Sequence, residues 1–114
     1  MALSPNQALD LWRRSMVRGV RSDAPDFSSR QMAVLLTVYL TPPPHTVRGL
    51  AAELNVSKPA ITRALDRLGE FGLVRRKPDE TDRRSIEVQR TVKGSVYLSE
   101  FADHVVRSWG EVAG

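Results

Sequence analysis

Residues 78–85, with the sequence PDETDRRS, place three carboxylates and two guanidiniums in one short segment. Such a segment could be a metal loop, a catalytic acid pair, a solvated turn or a grip on a negatively charged partner. A calcium loop needs oxygen ligands at alternate positions and a glycine for its turn, and this segment supplies neither. A catalytic carboxylate pair needs a pocket that shifts one pKa, whereas a charged turn is hydrated. The elements on either side decide between the last two interpretations.

A second group of polar and basic side chains lies upstream at helical spacing. Ser57 suits an N-cap, and proline is tolerated in the first turn that follows it. The apolar stripe of this helix is Ile61, Ala64, Leu65 and Leu68. Its outward face carries Lys58, Pro59, Thr62, Arg63, Asp66 and Arg67. Arginine on such a face can read guanine through two parallel hydrogen bonds, worth about 1–3 kcal/mol of discrimination. An amphipathic core helix with a solvated face would show the same pattern.

Capping residues and apolar spacing predict the helices that precede this one. The first covers residues 5–20, with Ser4 as its N-cap. The second begins after Ser28, which forms a capping box with Gln31, and its apolar residues on most sides predict a central position in the core. A short third helix over residues 47–54 ends where an asparagine suits a left-handed turn.

The spacing of apolar residues changes after Gly72, which suits the left-handed end of a helix. The segments LVRRK and SIEVQ alternate as two short strands around the charged turn, which predicts a hairpin. A last helix over residues 91–112 begins at Thr91. The predicted fold is mainly α with a small β-hairpin: a single winged helix-turn-helix domain over residues 1–114. It has a DNA-binding core over residues 28–90, with the wing at 73–90, between N- and C-terminal helices.

Two short helices joined by LNVS form a helix-turn-helix, and the hairpin follows directly. In a winged helix the second helix enters the major groove, and the hairpin tip meets the adjoining minor groove, which attracts arginine. The predicted contacts from the recognition helix are Ser57, Lys58, Pro59, Thr62, Arg63 and Arg67. Those from the wing are Lys77, Arg83 and Arg84. Asp82 is predicted to hold the Arg84 guanidinium by a charge-assisted bond.

The stretch LAAELNVSKPAITRALDRLGEFGLVRRKPDETDRRS, followed by TVKG, resembles the MarR family of bacterial winged-helix regulators. The shared features are the Val56-Ser57 turn, Thr62 on the recognition helix, the Asp82-to-Ser85 wing motif and the Thr-x-x-Gly that starts the last helix. The resemblance covers about residues 28–95. It implies a homodimer on a near-palindromic operator, with recognition helices in successive major grooves and wings in the flanking minor grooves.

The sequence departs from the family pattern at three places. Thr46-Val47-Arg48-Gly49 lacks the glutamate of the usual cap, and Arg90 replaces the usual apolar residue before the last helix. At Arg90 a phosphate contact and altered packing are both open. One C-terminal helix stands where the family has a longer pair, so another mode of dimerisation and loss of the ligand pocket are open. A small-molecule effector has no support in the sequence.

Composition excludes several classes of function. The chain has no cysteine, which excludes disulfides and zinc–thiolate sites and fits a reducing cytoplasm. With DNA as its expected partner, we expect the protein to lie at the nucleoid. Residues 57–93 hold ten Lys/Arg against six Asp/Glu, so the positive charge is concentrated there and suggests a polyanion partner. No apolar run is long enough to span a membrane. No catalytic triad, phosphate loop or metal-ligand cluster appears, so we expect neither an enzyme nor a cofactor.

The terminal helices carry large apolar residues that predict a dimer. The predicted seam is Leu9, Trp12, Met16, Phe101, Val105 and Trp109. These residues could instead fill a monomer core, but the last helix is apolar on more than one face, which favours a symmetric homodimer. The alternative to a regulator that binds double-stranded DNA is a winged-helix module that binds another protein. The basic wing and the polar recognition face favour DNA.

Overall fold

Side-chain hydroxyls at helix starts set the positions of the five helices. The computed structural model describes residues 2–82 and 84–114. The helices are α1 (Pro5–Arg21), α2 (Ser29–Leu40), α3 (Val47–Leu54), α4 (Lys58–Glu70) and α5 (Val92–Ala113). Ser4, Ser28, Thr46 and Ser57 each accept a hydrogen bond from the backbone amide three residues on. Each bond satisfies one of the amides that a helix start leaves unpaired.

The left-handed residues predicted at the helix ends are confirmed. Asn55 has a φ of 55° at the end of α3, and Gly72 has a φ of +71° just after α4. Thr91 accepts from the backbone amide of Gly94 at the start of α5, as predicted. Helix bounds differ from the predicted ones by at most one residue, which is within the usual uncertainty where helix ends fray.

The predicted hairpin is part of a three-stranded antiparallel sheet. Its strands are β1 (His45–Thr46), β2 (Val74–Pro78) and β3 (Ile86–Arg90), in the order β1-β3-β2. The two-residue strand β1 was not predicted, because it is too short to show an alternating pattern. It pairs His45 with Val88 and so attaches the loop before α3 to the wing. The sheet is therefore anchored in the helix-turn-helix.

The chain forms two compact units, and each is described by itself. One contains residues 27–95, which hold the helix-turn-helix and the sheet. Its core comes from α2, α3, α4 and the two longer strands: Val34, Leu35, Val38, Leu50, Ala51, Ala60, Ile61, Ala64, Leu65, Leu68, Leu73, Val74 and Val88. The prediction that α2 lies centrally is confirmed, since three of its residues are fully buried.

The other unit combines the segment that ends at Asp26 with Val96–Gly114. Inside it, Ser15 of α1 and Ser108 of α5 are fully buried, and both hydroxyls donate to a carbonyl of their own helix. Arg18 donates both to the Ser108 hydroxyl, at 2.8 Å, and to the Glu111 carboxylate, at 2.7 Å. Two buried serines and an ion pair thus lie where the two helices of this unit meet.

Candidate nucleic-acid interface

Helix α4 presents a polar face whose geometry follows from its buried stripe. Ala60, Ile61, Ala64, Leu65 and Leu68 are buried against the core. The remaining residues lie outward because successive positions turn by about 100° around the helix axis. Pro59 and Asp66 lie along the middle of this exposed face. Thr62 and Arg63 therefore lie on opposite sides of that middle line.

A groove of about 510 Å³ runs along one flank of α4, and we call it the α2–α4 groove. The first turn of α2, from Ser28 to Gln31, forms one wall, and Ala60, Arg63 and Ala64 form the other. Two cations, Arg30 and Arg63, therefore lie on this flank of α4. Arg63 was predicted to contact DNA, whereas Arg30 was not.

A second groove, of about 230 Å³, lies on the opposite flank, and we call it the α4–wing groove. Lys58 and Thr62 of α4 line it together with Arg84 and Ser85 of the wing. Arg48 of α3 also lines it. The fold thus brings predicted recognition-helix and wing residues to one place and adds a cation that the sequence interpretation missed.

The cations in the two grooves lack partners in the described part of the chain. Within residues 2–82 and 84–114, no ion pair or side-chain hydrogen bond includes Arg30, Arg48, Lys58, Arg63 or the Arg84 guanidinium. These five side chains are exposed. Their charges are consequently available to an external anion.

The wing tip is ordered by its own short side chains. Asp79 accepts from the backbone amide of Thr81, at 2.9 Å, and from its hydroxyl, at 2.8 Å. These two bonds lower the pKa of the Asp79 carboxyl below its ordinary value, because both stabilise the ionised form. A backbone bond from the amide of Asp79 to the carbonyl of Ser85 closes the turn. The acidic half of the PDETDRRS segment therefore shapes the turn.

The prediction that Asp82 holds the Arg84 guanidinium is wrong. Asp82 accepts from the backbone amide of Arg84 at 3.0 Å, and no ion pair among the described residues includes that guanidinium. The physical reason is the turn, which brings the amide two residues on within reach of a short carboxylate. Asp82 therefore orders the wing backbone and does not hold the Arg84 side chain. The predicted contact Arg83 lies outside the described residues.

The alternation of side chains along the sheet explains a link between the wing and α4. Arg76 pairs with Val88 across β2 and β3, so it lies on the face of the sheet where Val88 is buried. Its guanidinium reaches the Asp66 carboxylate of α4 at 2.7 Å. This ion pair joins the recognition helix to the wing, and Asp66, which was placed on the outward face, is one of its two members.

Two predicted DNA contacts have partners within the protein. The Arg67 guanidinium lies over the ring of Phe71, 4.6 Å from its centroid, and pairs with Glu70 at 3.3 Å. Lys77 pairs with Glu80 at 3.5 Å. Their predicted roles in DNA binding stay predictions.

Arg90 turns toward the protein, which decides between the two interpretations of this departure. Its guanidinium donates to the carbonyls of Val38 and Thr41, both at 2.8 Å. These carbonyls belong to the C-terminal end of α2, where helix carbonyls lack partners and a cation is favourable. The arginine therefore caps α2 and represents altered packing.

The two missed cations carried weak signals in the sequence. Arg30 follows the Ser28 N-cap, and Arg48 lies outside the apolar stripe Leu50, Ala51 and Leu54 of α3. Both positions indicate exposure. Nothing local shows that they flank α4, because this depends on how α2 and α3 pack against it.

The predicted dimer seam lies in the unit formed by α1 and the later part of α5. Leu9 is 69% exposed and Trp12 is 56% exposed, which is unusual for side chains of this size. Met16 and Trp109 are also exposed, whereas Phe101 and Val105 are partly buried. The α1 stripe thus does not fill the core of its own unit.

The described residues also bear on metal binding and on membrane insertion. In residues 2–82 and 84–114, no three His, Asp or Glu side chains lie close enough together to hold a metal ion. None of the helices described has both the length and the apolar character needed to cross a membrane.

Comparison with known proteins gives consistent matches. The MarR family model matches residues 27–86. Wild-type MarR from E. coli, in its apo form, is 27% identical with a TM-score of 0.69, and the match covers 94% of this chain and 76% of that one. A MarR transcriptional regulator from Methanosarcina mazei Go1 is also 27% identical, with a TM-score of 0.69 and coverage of 95% and 78%. A transcriptional regulator from Thermotoga maritima shares the fold at 23% identity and a TM-score of 0.63. That match covers 93% of this chain and 66% of the regulator's own chain.

Proposed function

The chain belongs to the MarR family, and from this premise we propose that it is a sequence-specific transcriptional regulator that binds double-stranded DNA. In this proposal residues 57–71 lie in a major groove and the wing, residues 78–85, meets the adjoining minor groove. With DNA as its partner, the protein acts in the cytoplasm at the nucleoid and has no catalytic role.

One observation carries the proposal: cations that have no ion pair among the described residues lie on both flanks of α4. A duplex presents two phosphate backbones, one on each side of the major groove, and a helix in that groove lies between them. Arg30 and Arg63 line one flank, and Arg48, Lys58 and Arg84 line the other. A helix with a merely solvated polar face would not need cations along both edges. This distribution favours a nucleic acid over a protein partner.

Base reading is proposed for Pro59, at the middle of the exposed α4 face, and for Thr62 and Arg63 on either side of it. Arg63 has no partner among the described residues. It lies in the N-terminal half of the helix, which is the part that reaches base edges. Thr62 and Pro59 offer small apolar groups for thymine methyls. Ser57 is occupied as the N-cap, so its contribution is to hold the helix start against a phosphate.

A homodimer is proposed from the exposed apolar stripe of α1. Trp12 and Leu9 lose their unfavourable contact with water if a second copy covers them, at about 25 cal/mol for each Å² buried. A twofold dimer places two recognition helices on a near-palindromic operator. Sedimentation of Trp12→Glu tests this: we expect a monomer at concentrations where the parent protein sediments as a dimer. An unchanged sedimentation coefficient contradicts the seam.

The proposed function is tested by fluorescence anisotropy or mobility shift with duplexes from the protein's own upstream region, at two salt concentrations. The parent protein is expected to bind one duplex far more tightly than unrelated DNA, and both affinities should fall steeply with salt. Arg63→Ala should reduce the preference between duplexes, because a bidentate base contact is worth about 1–3 kcal/mol. Arg84→Ala should weaken binding to all duplexes by the same factor.

Arg107→Ala provides the matched control, since Arg107 is exposed, lies in α5 and lines neither groove. It removes the same charge and should leave both the preference and the affinity close to those of the parent. Parent protein that binds no duplex at low ionic strength would refute DNA binding and favour the protein-interaction module.

A further inference from the structure

We infer that the α4–wing groove holds one phosphodiester of the DNA backbone and that Arg48 of α3 is a DNA contact that completes this site. The inference rests on the proposed DNA-binding function. It adds a residue from outside both the recognition helix and the wing. It also assigns the groove to the backbone that separates the two DNA grooves.

The groove collects cations from three separate elements. Arg48 comes from the first turn of α3, Lys58 from the first turn of α4 and Arg84 from the wing. The hydroxyl residues Thr62 and Ser85 also line it. A phosphate oxygen needs this combination of positive charge and hydrogen-bond donors.

No carboxylate in the described part of the chain lines this groove, although carboxylates are close by in the fold. Asp66 is engaged with Arg76, and Glu80 is engaged with Lys77. Glu53 of α3 lines a different cavity, next to His45. Like charges around one cavity repel each other. The neighbouring acidic residues leave that repulsion uncompensated, which is the state expected of a site whose anion comes from outside.

The position of the groove identifies the anion. It lies between the helix proposed for the major groove and the turn proposed for the minor groove. On a duplex, the structure that separates a major groove from the adjoining minor groove is a phosphodiester backbone. Arg48, in the angle between α4 and the wing, therefore faces that backbone.

The contribution of Arg48 can be measured from the salt dependence of binding. Each phosphate neutralised by a cation contributes about 0.9 to the slope of log K against log salt. Arg48→Gln should lower the slope by about 0.9 for each copy of Arg48 on the duplex. The affinity deficit of the variant should then shrink about 3.5-fold per copy between about 50 and 200 mM salt. The deficit should be equal for the preferred duplex and for unrelated DNA, since phosphates carry no sequence information.

Two variants control for charge and for folding. Arg107→Gln makes the same change of net charge at a residue that does not line the groove and should keep the slope of the parent. Arg48→Lys keeps the charge and should keep the slope as well. Arginine and glutamine have similar helix propensities, so Arg48→Gln should melt at the temperature of the parent by circular dichroism.

An Arg48→Gln slope equal to that of the parent overturns the inference, and so does a deficit confined to one sequence. Calorimetric titration with inorganic phosphate provides a separate arm. Arg48-dependent binding of inorganic phosphate, combined with an unchanged DNA slope, would identify a small-anion site and overturn the phosphodiester assignment. In both cases the parent still binds DNA, so the proposed function survives. Only the result that the parent protein binds no duplex would refute both the proposed function and the inference.

Discussion

Replacing Gly94 by alanine should destabilise the protein, although alanine is the better helix former. Gly94 lies in the first turn of α5, and a Cβ there would meet the Tyr39 hydroxyl and the Leu73 carbonyl oxygen. The same hydroxyl donates to the Leu73 carbonyl at 2.7 Å and accepts from the backbone amide of Thr91 at 2.8 Å. The added methyl group must therefore displace the Tyr39 ring and break both bonds.

The magnitude follows from these contacts. Two hydrogen bonds are worth about 0.5–1.5 kcal/mol each, and forcing a methyl group into a packed site costs about 1–3 kcal/mol. The gain in helix propensity returns up to about 1 kcal/mol. The net expected loss is about 3 kcal/mol, a large part of the roughly 5–15 kcal/mol that stabilises a typical domain.

Urea unfolding followed by circular dichroism measures this loss. With a slope of about 2 kcal/mol per M, the midpoint of Gly94→Ala should fall by about 1.5 M. The matched control is Gly110→Ala in the same helix, where no described atom beyond the neighbouring backbone of the helix lies within 4 Å of the added Cβ. That substitution should raise stability by up to about 1 kcal/mol. If Gly94→Ala is as stable as the parent, close packing of Tyr39 is not the reason for a glycine at position 94.

Three other predictions concern charged side chains. The hydrogen bond from Arg18 holds the pKa of the Glu111 carboxyl below its ordinary value of 4.5. The ionised carboxyl therefore stabilises the fold at pH values above 4.5, and this contribution is lost as the pH falls through the lowered pKa. The urea midpoint of Glu111→Gln should therefore lie below that of the parent at pH 7 and approach it at pH 3; a constant difference would contradict this. Arg67→Ala loses its stacking on Phe71 and should lower stability by about 0.5–1 kcal/mol, which an unchanged midpoint would refute. Asp66→Asn should lower the free energy of unfolding by less than about 1 kcal/mol, since the ion pair with Arg76 is exposed. The substitution frees the Arg76 guanidinium of β2 and should therefore strengthen binding to unrelated DNA in anisotropy titrations, which weaker binding would contradict.

The fold could be predicted because its elements start and stop on local signals. The Ser28–Gln31 capping box, the Ser57 N-cap, Asn55 and Gly72 all act on backbone groups within a few residues. Local backbone geometry fixes such features before any long-range packing. The recognition helix and the hairpin were located correctly for this reason.

The roles of individual cations could not be predicted, because their partners are distant in sequence. Arg90 contacts the carbonyl of Val38, 52 positions away, and Arg76 meets Asp66 across two elements. The Asp82 prediction is wrong for the opposite reason. It assumed an extended chain, whereas a turn offers the backbone amide of Arg84 first.

Ion pairing distinguishes the cations of the two grooves from three other basic residues of the winged helix, which a count of charges cannot do. Arg67, Arg76 and Lys77 each have a carboxylate partner. The Arg67 pair lies at the C-terminal end of α4, and the Arg76 and Lys77 pairs involve strand β2 of the wing. A cation already paired with a carboxylate neutralises little additional phosphate charge, so it contributes little to counterion release. The five groove cations, which have no carboxylate partner among the described residues, instead lie along both flanks of α4. They are Arg30, Arg48, Lys58, Arg63 and Arg84. The salt dependence of DNA binding should therefore depend on the residues of the two grooves, and neutralising Lys77 should lower the slope less than neutralising Lys58.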